Sequence, residues 1–172
     1  MSGVIVDRDA LLAWARDVRA GGETIAFANG CFDVLHVGHV RYLQASAAEA
    51  DRLVVAINDD ASVQLLKGAN RPILPIEARA ALVAALRGVD RVVVFSGRDV
   101  APLLTALQPD VHCKGTDYTV DTVPERAVVA SYGGRTAIVG DVKSHATREL
   151  LTRIARTSDD EPRTPHLTDP ER

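Results

Sequence analysis

Asn29-Gly30-Cys31-Phe32-Asp33-Val34-Leu35-His36-Val37-Gly38-His39 is the stretch on which the reading of this chain turns. Ahead of it, Thr24-Ile25-Ala26-Phe27-Ala28 is an unbroken apolar run, the pattern of a strand buried on both faces of a parallel sheet. Behind it, residues 40–50 are rich in Ala and carry Leu, Gln and Glu without Gly or Pro, which predicts a helix. The stretch is therefore a strand-to-helix turn. A helix N-terminus presents backbone N–H groups without intrahelical partners and the positive end of the helix dipole, a setting suited to phosphate. Gly38 lets a ligand approach the backbone closely. His36 and His39 add donors that are charged or neutral near pH 7 according to their surroundings.

Outward from the turn, strands and helices alternate. Residues 9–20 have Leu11, Trp14, Ala15 and Val18 on one helical face, and Gly21-Gly22 ends that helix. Trp14 reads as a packing anchor. Residues 52–57 form a second apolar strand, and Asn58-Asp59-Asp60 can cap a short helix over 61–66. Residues 67–72 form a loop holding Lys67 and Arg71, followed by a helix over 76–87 that opens after Pro75 and stops at Gly88. A third strand spans 91–95, a helix 99–107, a fourth strand 110–113, a helix 123–132, a fifth strand 135–139 and a last helix 144–156. Residues 157–172 are polar and nearly free of apolar side chains, so the expected organisation is one domain over 1–156 and a disordered tail over 157–172. Five apolar strands alternating with helices predict an α/β, Rossmann-like, doubly wound parallel sheet with helices on both faces and right-handed crossovers.

Composition narrows the function classes. The chain has 172 residues, 47% apolar but only 4% aromatic, so its core must be built from Ala, Val, Leu and Ile. A formal net charge of −3 gives no basic excess, which argues against nucleic acid as a partner. No apolar run reaches membrane-span length, and residues 1–8 lack the basic start and long apolar core of a signal peptide, so a cytoplasmic protein is expected. Cys31 and Cys113 make neither a disulfide framework nor a zinc spacing, and no metal-ligand cluster of Asp or Glu is visible.

His36-Val37-Gly38-His39 after Asn29-Gly30-Cys31-Phe32-Asp33 resembles the HxGH signature of the cytidylyltransferase-like nucleotidyltransferases. The tetrapeptide alone is weak, but its placement between strand and helix is specific. The resemblance covers roughly residues 11–155 and implies the strand order 3-2-1-4-5. That order reverses between the first and fourth strands, so ligand is expected in the crevice at their carboxyl ends. The loops that leave those two strands are the quoted turn and Lys114-Gly115-Thr116-Asp117-Tyr118. If the two strands are neighbours, both thiols are expected near that crevice; the alternative is two inert buried thiols.

The chemistry implied is attack by a phosphate oxyanion on the α-phosphorus of a nucleoside triphosphate. Because the nucleophile is already an anion, the site needs alignment and positive donors rather than a general base. By the resemblance His36, His39 and Lys67 are the catalytic residues, with Lys67 on a mobile loop. Asn29, Gly30, Cys31, Phe32, Gly38, Lys114, Gly115, Asp117 and Thr147 are expected to bind nucleotide, with Asp117 meeting the ribose or forming a structural Asx turn. Arg71 and Arg79 are candidates for substrate binding, though Arg79 could instead pair with a surface carboxylate. Asp33 either caps the turn or faces substrate or metal-bound water. Mg²⁺ is expected to arrive with the triphosphate, without a protein cage of its own. One departure stands out: the family's final Ser/Thr run is here Ser144-His145-Ala146-Thr147, with Ala146 in place of a hydroxyl.

Within the family the turn, Leu66-Lys67-Gly68-Ala69-Asn70-Arg71-Pro72 and Lys114-Gly115-Thr116-Asp117-Tyr118 are most similar to the D-glycero-β-D-manno-heptose 1-phosphate adenylyltransferases, the nucleotidyltransferase domains of bifunctional ADP-heptose synthesis proteins. This implies ATP and a sugar 1-phosphate as substrates, a separate heptose kinase upstream and a homodimer. Glycerol-3-phosphate cytidylyltransferase and a catalytically silent nucleotide-binding module are the alternative readings.

Overall fold

The chain enters the sheet earlier than its apolar pattern suggests. In the computed structural model, which describes residues 3–141 together with Thr152 and Arg156, Val4–Val6 forms an edge strand, β1, ahead of helix α1 (Arg8–Ala20). Among the described residues the elements that follow are β2 (Ile25–Gly30), α2 (Val37–Ala47), β3 (Arg52–Asn58), α3 (Asp60–Lys67), α4 (Ile76–Ala84), β4 (Arg91–Phe95), α5 (Ala101–Leu107), β5 (Val111–Lys114), α6 (Arg126–Ser131) and β6 (Arg135–Ile138), with a 3₁₀ turn at Val120–Thr122.

All strand pairs are parallel, and the sheet runs β1-β4-β3-β2-β5-β6. The five predicted strands are β2 to β6 and keep the expected 3-2-1-4-5 order, but the sheet has six strands rather than five. β1 escaped the sequence reading because it is three residues long and its side chains are half exposed: Val4 is 51% and Ile5 49% accessible. An edge strand has one neighbour and little to bury, so it carries a weak hydrophobic signature.

Alternation along each strand divides the core into two layers. Ala26 and Ala28 of β2, with Leu53, Val55 and Ile57 of β3, face Leu43 of α2 and Val83 of α4. Ile25 and Phe27, with Val54 and Ala56, face Leu11, Ala15 and Val18 of α1, Leu104 and Leu107 of α5 and Val129 of α6. Both faces are covered, which is why the strands read as continuous apolar runs rather than as alternating ones.

β2 is the central strand. It pairs with β3 from Ile25↔Arg52 to Gly30↔Ile57, and with β5 from Ala26↔Val111 to Ala28↔Cys113. The sheet's order turns at the β2/β5 junction, so the connections after β2 and β5 diverge there and leave a crevice at the carboxyl edge. Among the described residues no helix is long and apolar enough to cross a membrane. Residues 144–151 and 153–155 of the last predicted helix, and the 157–172 tail, lie outside the described residues, as does Thr147.

Candidate active site

The chain leaves β2 at Gly30 and reverses over Cys31 and Phe32. Phe32 adopts a left-handed backbone (φ 45°) and buries its ring at 4% exposure. A Cβ on Gly30 would stand 3.2 Å from that ring, so glycine is what lets the turn fold back on itself. Helix α2 then begins at Val37, three residues earlier than its composition indicates, because His36 caps it: Nδ1 of His36 accepts from the Gly38 N–H at 3.2 Å. The poor helix propensity of Gly38 masks this start in the sequence. An accepting Nδ1 carries no hydrogen, so the ring proton of His36 is on Nε2. His39, one turn in, stacks on His36 with ring centroids 3.9 Å apart and meets the edge of Phe32 at 5.3 Å. Two imidazoles are thus held side by side at the positive end of a helix.

These groups form one wall of a cavity of about 450 Å³ at the carboxyl edge of the sheet. Asn29, Gly30, Cys31, Phe32, His36, Gly38 and His39 line it from the β2 side. Lys67, the exposed last residue of α3, also lines it, near enough to Cys31 for its charge to act on that thiol. Lys114, Gly115 and Asp117 line it from the β5 side. Gly115 has a local purpose: a Cβ there would come within 2.8 Å of Asp117 Oδ1, so the glycine makes room for that carboxylate. Lys114 is not a free cation. Its Nζ lies 3.3 Å from Asn29 Oδ1 and 3.2 Å from Glu125 Oε2, with the Tyr118 ring centroid at 5.3 Å.

Several lining residues carry no sequence signal of their own. Asn58 ends β3 at 4% exposure, donates to Gly97 O at 3.1 Å and sits 3.7 Å from Cys31 Sγ. The rule that ligands gather at carboxyl ends of strands near the switch point would have pointed to it. Val139, Gly140 and Asp141, just past β6, close the far rim. Thr116 Oγ1 donates to Asp141 O at 2.7 Å, and Arg41 of α2 bonds the Asp141 carboxylate at 2.7 Å. Gly140 (φ 93°) passes the Tyr42 backbone so closely that a Cβ would sit 3.3 Å from Tyr42 Cα. Tyr42 in turn donates its hydroxyl to Cys113 O at 2.8 Å, tying α2 to β5.

The candidates assigned to substrate binding do not line the cavity. Asp33 is fully buried and accepts from the N–H groups of Ile73 and Leu74 at 2.6 and 3.2 Å and from Arg71, with which it forms an ion pair. It neither caps α2 nor faces the cavity; it latches the loop after α3. Burial alone would raise its pKa, but these hydrogen bonds outweigh burial and hold it below the usual carboxylate value. Arg79 is 1% exposed and donates to Leu74 O, Cys31 O, Asn58 O and the Asp60 carboxylate at 2.6–3.0 Å. Its planar fork braces three segments, and the surface carboxylate it pairs with is Asp60 at the start of α3. The cysteines part company too. Cys31 lines the cavity, whereas Cys113 pairs in register with Ala28 and is fully buried, so only one thiol reaches the crevice; both are free.

Comparison with known proteins bears directly on this arrangement. The family model described as cytidylyltransferase-like matches residues 27–164, a span that contains every lining residue named above. The bifunctional protein HldE of Ectopseudomonas mendocina is 47% identical over 150 residues, covering 87% of this chain and 32% of that protein. HldE of Alcanivorax borkumensis is 45% identical over 152 residues, covering 88% and 32%. The chain therefore spans about a third of the length of these relatives. A solved structure, the lipopolysaccharide core biosynthesis protein from Thermoplasma volcanium, superposes with a TM-score of 0.61 at 26% identity, covering 71% of this chain and all of that one. On the matched span, with its paired histidines at the head of α2, the chain belongs to the cytidylyltransferase-like family of nucleotidyltransferases.

Proposed function

We propose that the chain joins a sugar 1-phosphate, D-glycero-β-D-manno-heptose 1-phosphate, to the adenylyl group of ATP and releases pyrophosphate. The observation that carries this reading is the stacked His36–His39 pair at the N-terminus of α2, lining with Lys67 one cavity large enough for a nucleotide. The relatives named for HldE and for lipopolysaccharide core biosynthesis favour a heptose substrate.

Two anions must meet in such a reaction. An oxygen of the sugar phosphate attacks the α-phosphorus of ATP, a new P–O bond forms, and the bond to the pyrophosphate oxygen breaks. The nucleophile needs no proton removed. The protein's part is to hold both phosphates in line and to stabilise the charge that grows on the α-phosphate and the departing pyrophosphate. His36 would donate through Nε2–H, and His39 beside it would meet the same phosphate. Lys67, lining the same cavity, would screen the repulsion between the substrates. Asp117, held against Gly115, would accept from ribose hydroxyls.

Mg²⁺ fits this site as a cation carried on the triphosphate. The carboxylates that line the cavity are Asp117 and Asp141, and Asp141 is engaged by Arg41. Among the described residues no group of three or more His, Cys, Asp or Glu is arranged to hold a metal. Histidine and lysine donors suit phosphate oxygens, so phosphate and water would supply most of the ion's ligands. A separate kinase would supply the sugar 1-phosphate, and a homodimer would be the working form.

The test is pyrophosphate release from a panel of four nucleoside triphosphates, each mixed with heptose 1-phosphate, other sugar phosphates or glycerol 3-phosphate in Mg²⁺. Release with ATP and the heptose phosphate alone is the expected result. Release with CTP and glycerol 3-phosphate would contradict the substrate assignment. No release from any pair, with ATP still bound, would make the chain a nucleotide-binding module.

A further inference from the structure

His112 sits in the middle of β5, fully buried, and nothing in the transfer chemistry above calls on it. Its ring lies tilted against Phe27, 5.9 Å between centroids. Its Nε2 is 3.1 Å from Asn29 Oδ1, and Lys114 Nζ is 3.3 Å from the same oxygen. The protonation pattern of this trio follows from what each group is able to do. An ammonium only donates, so the Asn29 atom that faces Lys114 is the carboxamide oxygen and not its nitrogen. With the oxygen there, His112 Nε2 must carry a hydrogen. Burial, with the Lys114 charge adding to it, pushes the His112 pKa down to about 3, so the ring is neutral and its Nδ1 bare. Nδ1 is a buried atom without a hydrogen-bond partner among the described residues. A buried acceptor without a partner is easier to tolerate than an orphaned N–H, which again favours the Nε2–H tautomer. Glu125, 3.2 Å from Lys114 Nζ, fixes the ammonium from its other side.

Asn29 Oδ1 is thus occupied from within the protein by two donors. Asn29 is one of the residues that line the cavity, and the NH₂ is the half of its carboxamide that neither of these donors occupies. We propose that His112 is a positioning residue: together with Lys114 it locks the Asn29 carboxamide with its oxygen toward β5 and its NH₂ toward the cavity, where the NH₂ donates to an oxygen of a phosphorylated substrate. This deepens the proposed reaction and rests on it for the identity of that substrate. The oxygen belongs either to ATP or to the sugar phosphate; both offer hydroxyl and phosphate acceptors. A ligand presenting a donor at this point would meet another donor and be rejected.

Two measurements on the full chain test this. The first is a long-range ¹H–¹⁵N spectrum of ¹⁵N-labelled protein, with the His112 signals identified by their loss in His112→Gln. The inference expects a protonated Nε2 and a bare Nδ1, unchanged from pH 8 to pH 5. An Nδ1–H tautomer, or titration within that range, would overturn it. The second is calorimetric affinity for ATP and, separately, for heptose 1-phosphate in wild type, His112→Leu, His112→Gln and Asn29→Asp. A glutamine amide can place an N–H near the position of Nε2, whereas leucine cannot. The expected result is a roughly 3- to 10-fold loss for one of the two ligands in His112→Leu, the range of one hydrogen bond. His112→Gln should restore the affinity, and Asn29→Asp should lose affinity for that same ligand. The ligand that weakens identifies the source of the oxygen. Equal affinities in His112→Leu and wild type, or equal losses in the leucine and glutamine variants, would contradict the positioning role. Should His112→Leu fail to fold, the spectrum and the His112→Gln and Asn29→Asp affinities still decide. Absence of heptose 1-phosphate turnover with the tautomer as expected would count against the proposed reaction and not against His112.

Discussion

The turn from Asn29 to His39 and the segment from Arg71 to Arg79 press against each other, and both are rich in polar side chains. They use them in opposite ways. In the turn, His36, His39 and Asn29 line an open cavity. In the segment, the polar atoms are taken up by the protein itself. Arg79 donates to three backbone carbonyls and one carboxylate, and Asp33 gathers Arg71 and two backbone N–H groups. Arg79 holds the Cys31 carbonyl and Asp33 belongs to the turn, so the closed segment is the backing that fixes the open one. A ligand-binding surface held in one geometry needs such a backing, since donors that move must be reordered at each turnover.

The largest effect on stability should come from the backing. Arg79→Ala would strand three carbonyls and leave a void, a loss of about 3–5 kcal/mol, or a fall in Tm of roughly 10 °C. Arg79→Lys should not rescue it, because an ammonium cannot reproduce the fork. A variant with near-normal Tm but lost ATP affinity would break the comparison, placing Arg79 in the site after all. Thermal denaturation with and without ATP separates the two outcomes.

Asp33→Asn should cost less, about 1.5–3 kcal/mol, the range for hydrogen bonds to a charged group. The pH dependence has a definite sign. The folded-state pKa of Asp33 is lowered, so its contribution is complete above the unfolded value near ~3.9 and fades as pH falls through the lowered folded value. Urea denaturation of wild type and Asp33→Asn should therefore differ at pH 6 and converge toward pH 3. A difference that persists unchanged at pH 3 would show that the latch does not depend on the carboxylate's charge.

The smallest effect belongs to the rim. Arg41 and Asp141 form an ion pair with side chains 48% and 59% exposed. Exposed pairs are worth ~0–1 kcal/mol, so Arg41→Ala should move Tm by no more than about 3 °C. A drop as large as that of Arg79→Ala would mean that the 139–141 segment is itself part of the backing.

How far the sequence reaches follows from these particulars. The turn was legible because its chemistry is local: a strand, two histidines around a glycine and a helix are adjacent in the chain. A parallel sheet covered on both faces was legible because buried parallel strands are apolar throughout; its strand order came from the resemblance to the family. Lys67, Arg71 and Arg79 are all site candidates by sequence, yet they divide between cavity and backing. What divides them is the path of the loop after α3 and the position of Asp33, and spacing carries neither. Asn58 and Asp141 reach the cavity only through the order of the strands, so no motif announces them, whereas Tyr42 lies on α2 one turn past His39. His112 reads as one polar residue in a buried strand until its register with β2 places it beside Asn29.

The measurement that tests the central claim most directly is turnover of His39→Ala set beside its affinity for ATP. If the stacked pair at the head of α2 stabilises charge that appears only as the α-phosphorus reacts, kcat for pyrophosphate release should fall by about 10²–10³-fold, while the Kd for ATP shifts by only a few-fold. A His39→Ala protein that keeps near-normal kcat, or whose entire loss is matched by weaker ATP binding, would contradict the placement of the reacting phosphate at this turn.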